Sequence, residues 1–312
     1  MRNLSKKKLY FILNPKARNA GSVKTWSQVE AALKADGTRC YQLYRTERPN
    51  HATALVRQIL NEEADAVIVA IGGDGTVHEV MNGMIGFPEA TLGYIAAGSG
   101  NDFSRGAVIP KDPEQALALI MNPEVKKLDC GSFQILNHKG YFASSLGMGI
   151  DAFVTEIANR SVWKKRFNKI GLGKLNYLYT FFKSLWVFDH PEIEVTIDGV
   201  SKTYRHVWLV NIANNTYFGG GIAISPQAKM NDGLFHILIA HSYSRLTIFF
   251  MFFSIIWGGH IRSKNIEYLT GKNIKVIAKQ QSIIHADGEI VGYSKLDVNI
   301  MKHEMNVICK LK

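Results

Sequence analysis

Residues 66–79 read Ala66-Val67-Ile68-Val69-Ala70-Ile71-Gly72-Gly73-Asp74-Gly75-Thr76-Val77-His78-Glu79. The first six form an apolar run suited to a buried strand, and Val77-His78-Glu79-Val80-Met81 has the spacing of a helix. The glycines between them permit positive φ and leave no Cβ to obstruct a close neighbour. A phosphate chain is such a neighbour, because N–H groups at a helix mouth point at an anion and the helix dipole favours negative charge there. Asp74 would repel phosphates unless a divalent cation lies between them, and hard oxygen ligands suit Mg²⁺. Taken alone, the same residues also describe an ordinary turn with an Asp cap.

Working outward, Lys8 to Leu13 is a first strand that ends in the basic loop Asn14-Pro15-Lys16-Ala17-Arg18-Asn19-Ala20-Gly21. Val23, Trp26, Val29 and Leu33 give a helical stripe. A second strand at Cys40–Tyr44 precedes Thr46 and a helix carrying Leu55, Ile59 and Leu60. This β-α-β alternation predicts an α/β N-terminal domain with a parallel, doubly wound sheet. Thr91 to Ile95 leads into Ala96-Ala97-Gly98-Ser99-Gly100-Asn101-Asp102-Phe103-Ser104-Arg105, so two Gly-rich, Asp-bearing turns at strand ends are expected side by side. Asp112-Pro113-Glu114 opens a helix that ends near Met121. Lys126 to Phe133, with Asp129, is a strand leaving this domain, which is placed at residues 1–130.

The remainder, 131–312, changes to short β-rich runs at Glu192–Ile197, Tyr204–Asn211, Leu234–Ile239, Asn273–Ala278 and Met305–Leu311. Asp198-Gly199 is a hairpin signal between two strands. A C-terminal β-rich, sandwich-like domain follows, with helices expected at Lys174–Phe188 and Arg245–Trp257.

Of the 312 residues, 46% are hydrophobic and 20% charged, which suits a folded protein, and the net charge of +11 favours an anionic partner. Cys40, Cys130 and Cys309 are scattered, which fits a reducing compartment and disfavours zinc. The apolar run behind Lys6-Lys7-Lys8 stops before Asn14-Pro15, too early for a signal peptide. Leu246–Trp257 is apolar nearly all round, but would cover only about 18 Å as a helix, against roughly 30 Å of hydrocarbon.

With Asn14-Pro15, the Gly72–Thr76 turn, the Gly98–Arg105 stretch and a late Asp287-Gly288-Glu289 in order, the chain resembles the diacylglycerol kinase catalytic-domain family, nearest its soluble bacterial lipid kinases. The Gly-Gly-Asp-Gly-Thr element alone also resembles NAD kinases and phosphofructokinases, so the expected fold is NAD kinase/phosphofructokinase-like. The resemblance implies ATP and Mg²⁺ as cofactors and a lipid alcohol as substrate, diacylglycerol first. It implies nucleotide contacts at Asn14, Pro15, Lys16, Ala17, Arg18, Thr46, Gly73, Asp74, Gly75, Thr76, Val77, His78, Glu79, Ser99, Asn101 and Asp102. Asp74, Asp102 and Asp129 would form an aspartate network coupled to Mg²⁺, and a second metal site would use Asp232 with the carbonyls of Lys229 and Leu234. Glu289 would be the general base, with Asp287 beside it and Asp74 also catalytic. A positioned base of that kind is worth about 10²–10⁴ in rate. The chain departs from the pattern at His78, usually Asn, at Ala96-Ala97, where the stretch usually opens with Pro, at Ser99, where a Thr is usual, and at Lys229, an acid in some members.

A cytoplasmic, membrane-peripheral kinase is expected, with no nucleic-acid partner and a homodimer left open. Alternatives are an NAD kinase-like enzyme for a soluble alcohol, or a non-catalytic lipid- or nucleotide-binding regulator. The basic cluster Arg160, Lys164, Lys165, Arg166, Lys169 and Lys174 suits anionic lipid headgroups, a solvated loop or RNA. Gly147-Met148-Gly149-Ile150-Asp151-Ala152 matches a dinucleotide fingerprint weakly, since the acid expected about twenty residues on is missing. Asn214-Asn215-Thr216 fits a glycosylation acceptor without a secretory context.

Overall fold

The computed structural model describes residues 7–37, 40–136, 138–160, 173–255 and 263–311. Four parallel strands, Tyr41–Arg45, Leu9–Leu13, Val67–Gly72 and Thr91–Ala96, lie in that order. The two inner ones are apolar and fully buried, as expected for strands covered on both faces. Helices Gly21–Asp36, His51–Glu62, Asp74–Met84 and Pro113–Met121 supply the cover. Asp112 caps the last of them by accepting the N–H groups of Glu114 and Gln115, with Pro113 in its first turn.

The sheet does not stop at the domain boundary. The long strand Lys295–Ile308 pairs in parallel with Thr91–Ala96 through Asn306 and Val307, and antiparallel with Val125–Ile135. Its other end pairs with Asn273–Ala278, and the sheet continues through Ile193–Ile197 to Val200–Tyr204. Met305, Val307, Ile308 and Cys309 therefore lie in the N-terminal core. The run at Met305–Leu311 thus completes the first sheet rather than the second layer. Register shifts between Met301 and Met305, where His303 takes a positive φ of 55°.

A second, six-stranded antiparallel sheet orders Ile266–Gly271, Phe235–His241, Val207–Ala213, Ser145–Gly149, Ile283–Ala286 and Glu289–Tyr293. Its Leu146, Met148, Val210, Ile212 and Ile237 meet Phe133, Val195, Ile274, Val276 and Val298 of the long sheet in one core, the expected sandwich. The expected strand Tyr204–Asn211 is two strands, broken at Arg205-His206, where His206 has φ 51°. Asp198 and Gly199, both at positive φ, make the hairpin turn.

The outer face of the six-stranded sheet carries Trp208 and Leu238, which pack under the helices Ile150–Arg160, Gly173–Val187 and Arg245–Ile255. Phe182 and Phe249 join two of these helices at 4.9 Å between ring centroids. Tyr179, Trp186, Leu246 and Phe250 on them are more than half exposed. Among the described residues no helix is long and apolar enough to cross a membrane. The side chains of the basic cluster from Arg160 to Lys174, and of Tyr177 and Phe253, fall outside the described residues.

Candidate active site

The two Gly-rich turns touch. A Cβ on Gly98 would lie 2.3 Å from the Cα of Gly73, so the backbones meet where any side chain would collide. Their strands are adjacent and parallel, with Gly72 opposite Ala96, and Ala97 donates its N–H to the Gly72 carbonyl at 2.7 Å. Asn101, in the left-handed region at φ 57°, bonds Gly98 through both side-chain atoms. Its Oδ1 also accepts from Tyr94, whose hydroxyl lies 3.0 Å from the Gly72 carbonyl. Asn101 thus shapes the loop with its side chain instead of offering it to a ligand.

Two carboxylates converge over this junction. Asp74 Oδ2 lies 2.8 Å, and Asp102 Oδ2 3.7 Å, from where a Cβ on Gly100 would be. The N–H of Phe103 donates to Asp74 Oδ1 and that of Gly220 to Asp102 Oδ2. Asp102 Oδ1 is buried without a hydrogen-bond partner, with Arg105 Nε 3.8 Å away. Burial, then the charge of Asp102, pushes Asp74 up to about 6, and burial raises Asp102 as well. Two adjacent carboxylates with one oxygen unsatisfied are a donor set that fits a hard divalent cation such as Mg²⁺.

Asn14 reaches the turn through its Nδ2, 3.2 Å from Thr76 Oγ1, and Lys16 curls back to the Glu47 carbonyl. Pro15, Ala17 and Arg18 continue that loop, and Thr46 is tied to it by its N–H on Leu13 O at 2.9 Å. Ser99 is exposed at the tip of the second turn. Thr76 and Val77 use their N–H groups on the Gly73 carbonyl, and the Val77 side chain is in the core. Glu79 points elsewhere too: its carboxylate accepts the Ala52 N–H at 3.0 Å and so caps the neighbouring helix.

From the other domain, the hairpin Ile283–Tyr293 brings Glu289 to the cleft. Its Oε1 is 3.3 Å from where a Cβ on Gly75 would lie, and the residue is exposed. Asp287 is different. It accepts the N–H groups of Ala143, Ser144 and Ser145 at 2.9, 2.8 and 3.1 Å and meets His78 Nδ1 at 3.0 Å. Burial would raise Asp287, but His78 and these N–H groups more than reverse it and hold the carboxyl below its usual range. With these four partners Asp287 anchors the hairpin turn that carries Glu289.

Asp129 is bonded to backbone on both of its oxygens. Its oxygens accept the N–H groups of Gly233 at 2.6 Å and His303 at 2.7 Å, so it pins the 230–233 loop and the bulge of the long strand. In that loop Asp232 caps the Leu234 N–H at 3.0 Å and faces His236 at 3.4 Å, Lys229 is exposed, and Lys302 methylenes cover Gly233. Among the described residues no group of three or more His, Cys, Asp or Glu gathers as a metal cluster. The second metal site is therefore poorly supplied with charge.

Asn214, Asn215 and the run Gly219-Gly220-Gly221 carry no site role in the sequence pattern, yet they border the two aspartates. Asn215 Nδ2 holds the Asp102 carbonyl at 2.9 Å and Asn214 Nδ2 the Asp129 carbonyl at 2.9 Å, so the pair ties both aspartates to the second domain. Three glycines in succession were the available signal. The fingerprint at 147–152 has a packing cause: a Cβ on Gly147 would strike Asp151 and His285, and one on Gly149 the backbone of Trp208.

The diacylglycerol kinase catalytic domain family matches residues 8–133, and the YegS C-terminal NAD kinase β-sandwich-like domain matches residues 144–309, so the chain belongs to the diacylglycerol kinase family in its bacterial two-domain form. Among relatives, "Putative lipid kinase YtlR" of Bacillus subtilis (strain 168) is 29% identical over 289 residues, covering 91% of this chain and 93% of its own. "Diacylglycerol kinase" of Mycobacterium tuberculosis (strain ATCC 25618 / H37Rv) is 27% identical over 303 residues, with 96% and 94% covered. The fold is shared with a solved "putative diacylglycerol kinase from Bacillus anthracis str. Sterne", at TM-score 0.77 and 24% identity over 98% of this chain and 95% of that one.

Proposed function

We propose that the protein is an ATP-dependent lipid kinase that transfers the γ-phosphate to a lipid hydroxyl, with diacylglycerol the first substrate to test. The observation that carries this reading is the position of Glu289, an exposed carboxylate from the second domain held over Gly75 at the mouth of the phosphate turn. An attacking alcohol must lose its proton, and a carboxylate there can take it. The phosphate chain would lie along the paired Gly-rich turns, at the N-terminus of the helix Asp74–Met84. Asp74 and Asp102 would hold Mg²⁺, which when bound neutralises charge on the phosphates.

A lipid acceptor is favoured over a soluble one by the aromatic helices on the outer sheet face. Tyr179, Trp186, Leu246 and Phe250 expose apolar surface there, alongside the exposed Lys183, in a chain of net charge +11. That combination supports peripheral contact with an anionic membrane.

The test is incubation with labelled ATP, Mg²⁺ and total lipid extract, followed by phase separation and mass identification of the product. Label in an organic-phase phospholipid, lost in Glu289→Gln, is the expected result. Label in an aqueous product would move the acceptor to a soluble alcohol. Mg-ATP binding without label in either phase would replace the enzyme reading with that of a regulator.

A further inference from the structure

The hairpin carrying Glu289 is tied to the phosphate-turn helix by a histidine. Gly75 and His78 are three residues apart and share one face of the helix Asp74–Met84. Over Gly75 lies Glu289, and His78 Nδ1 meets Asp287 Oδ2 at 3.0 Å, a contact spanning 209 residues of sequence. Asp287 sits at the hairpin turn with φ 49°, and its N–H donates to the Ser145 carbonyl at 2.8 Å. The turn is therefore fixed to its own domain by backbone bonds and to the other domain by His78. We propose that His78 is the positioning residue that sets Glu289 over the phosphate turn, holding most firmly while its ring is protonated. This rests on the kinase reading above.

The charges around the ring support a protonated state. Burial disfavours the imidazolium, but Asp287 and Glu289 on the hairpin and Glu79 on its own helix outweigh it and raise His78 above its ordinary 6.5. Other ionisable groups on the flanking elements are engaged elsewhere. Lys139 lies over the Tyr141 ring, His51 accepts the Glu47 N–H, and Arg57 reaches the Asn82 carbonyl. A charged ring makes a stronger bond to Asp287 than a neutral one. The contact is tight below His78's ordinary 6.5 and slackens as pH rises through the raised value. Asn, usual at this position in the family pattern, would give a contact that does not titrate.

The experiment is a pH profile of kcat/KM for the lipid acceptor, with ring titration of His78 by NMR in the absence of substrate. Wild type should lose activity on the alkaline side through the His78 titration, and His78→Asn should flatten that limb. His78→Ala should lower kcat by about 10²-fold, as misplacing a reacting group does, with KM for ATP little changed. His78→Asn, which keeps a hydrogen-bonding amide, serves if the alanine variant does not fold. Asp287→Asn should move the ring titration down towards the ordinary value. An alkaline limb that persists in His78→Asn, or a ring titration indifferent to Asp287→Asn, overturns the proposal. A wild type that labels no lipid ends the kinase reading instead, while the ring titration still tests the pair.

Discussion

Asp74 and Asp287 face the same cleft from opposite domains, and burial has contrary outcomes for them. Asp74 receives backbone N–H groups from Phe103 and Asn101 but stands beside Asp102, so lost hydration is not fully compensated and its acid form is favoured, at about 6. Asp287 is the more buried, yet three N–H groups and an imidazole surround it and its anion is favoured. A carboxylate left short of donors suits an incoming cation; one saturated with donors suits a structural joint. The difference separates a ligand-binding acid from a scaffold acid without reference to sequence position.

The comparison breaks most visibly in activity. Asp74→Asn should cost about 10³-fold or more in phosphoryl transfer, on the scale of losing a transition-state electrostatic contact, while the melting temperature holds or rises because one of two repelling carboxylates is gone. Activity near wild type would remove Asp74 from the site. Glu289→Gln should lose about 10²–10⁴ in kcat with stability unchanged, since an exposed residue is altered, and this is read from labelled product together with urea unfolding. Asp287→Ala should be the reverse in kind. It should destabilise by about 3–5 kcal/mol in urea, because removing one partner of a buried pair strands the rest; a change within a few tenths would erase the distinction.

The smallest effect is in pH. Asp74, raised, contributes stability that is complete below its ordinary 3.8 and lost as pH climbs through about 6, on the order of 1–3 kcal/mol. Asp287, lowered, contributes stability that is present above 3.8 and lost as pH falls below it. Melting curves of Asp74→Asn against wild type from pH 4 to 7 should therefore converge at the acid end and separate towards neutrality. Added Mg²⁺ should raise the wild-type curve at pH 7 and leave the variant's largely unmoved.

The meeting of the two turns was legible because both follow apolar strands, and consecutive parallel strands place such ends side by side. Glu289 was reachable only through family resemblance, since nothing local in Asp287-Gly288-Glu289 says which domain it faces. The roles of Asp287, Asp129 and Glu79 were not legible. Their partners lie 142–144, 104 and 174, and 27 residues away, and are mostly backbone N–H groups, which carry no sequence signature. The role of Asn215 was not legible for a related reason: an amide that bridges domains to a backbone carbonyl leaves no mark in the residues beside it.

The strand Lys295–Ile308 imposes an order on biogenesis. Its Val307 and Ile308 fill the core built by residues 9–130, and its Asn306 pairs with Thr91, yet it emerges from the ribosome only after residues 131–294. The half built by residues 9–130 cannot complete itself during translation and wait for its companion, as domains in tandem commonly do. Until that last β partner arrives, Thr91–Ala96 offers an open, apolar margin to the cell, so the two halves must reach the native state together.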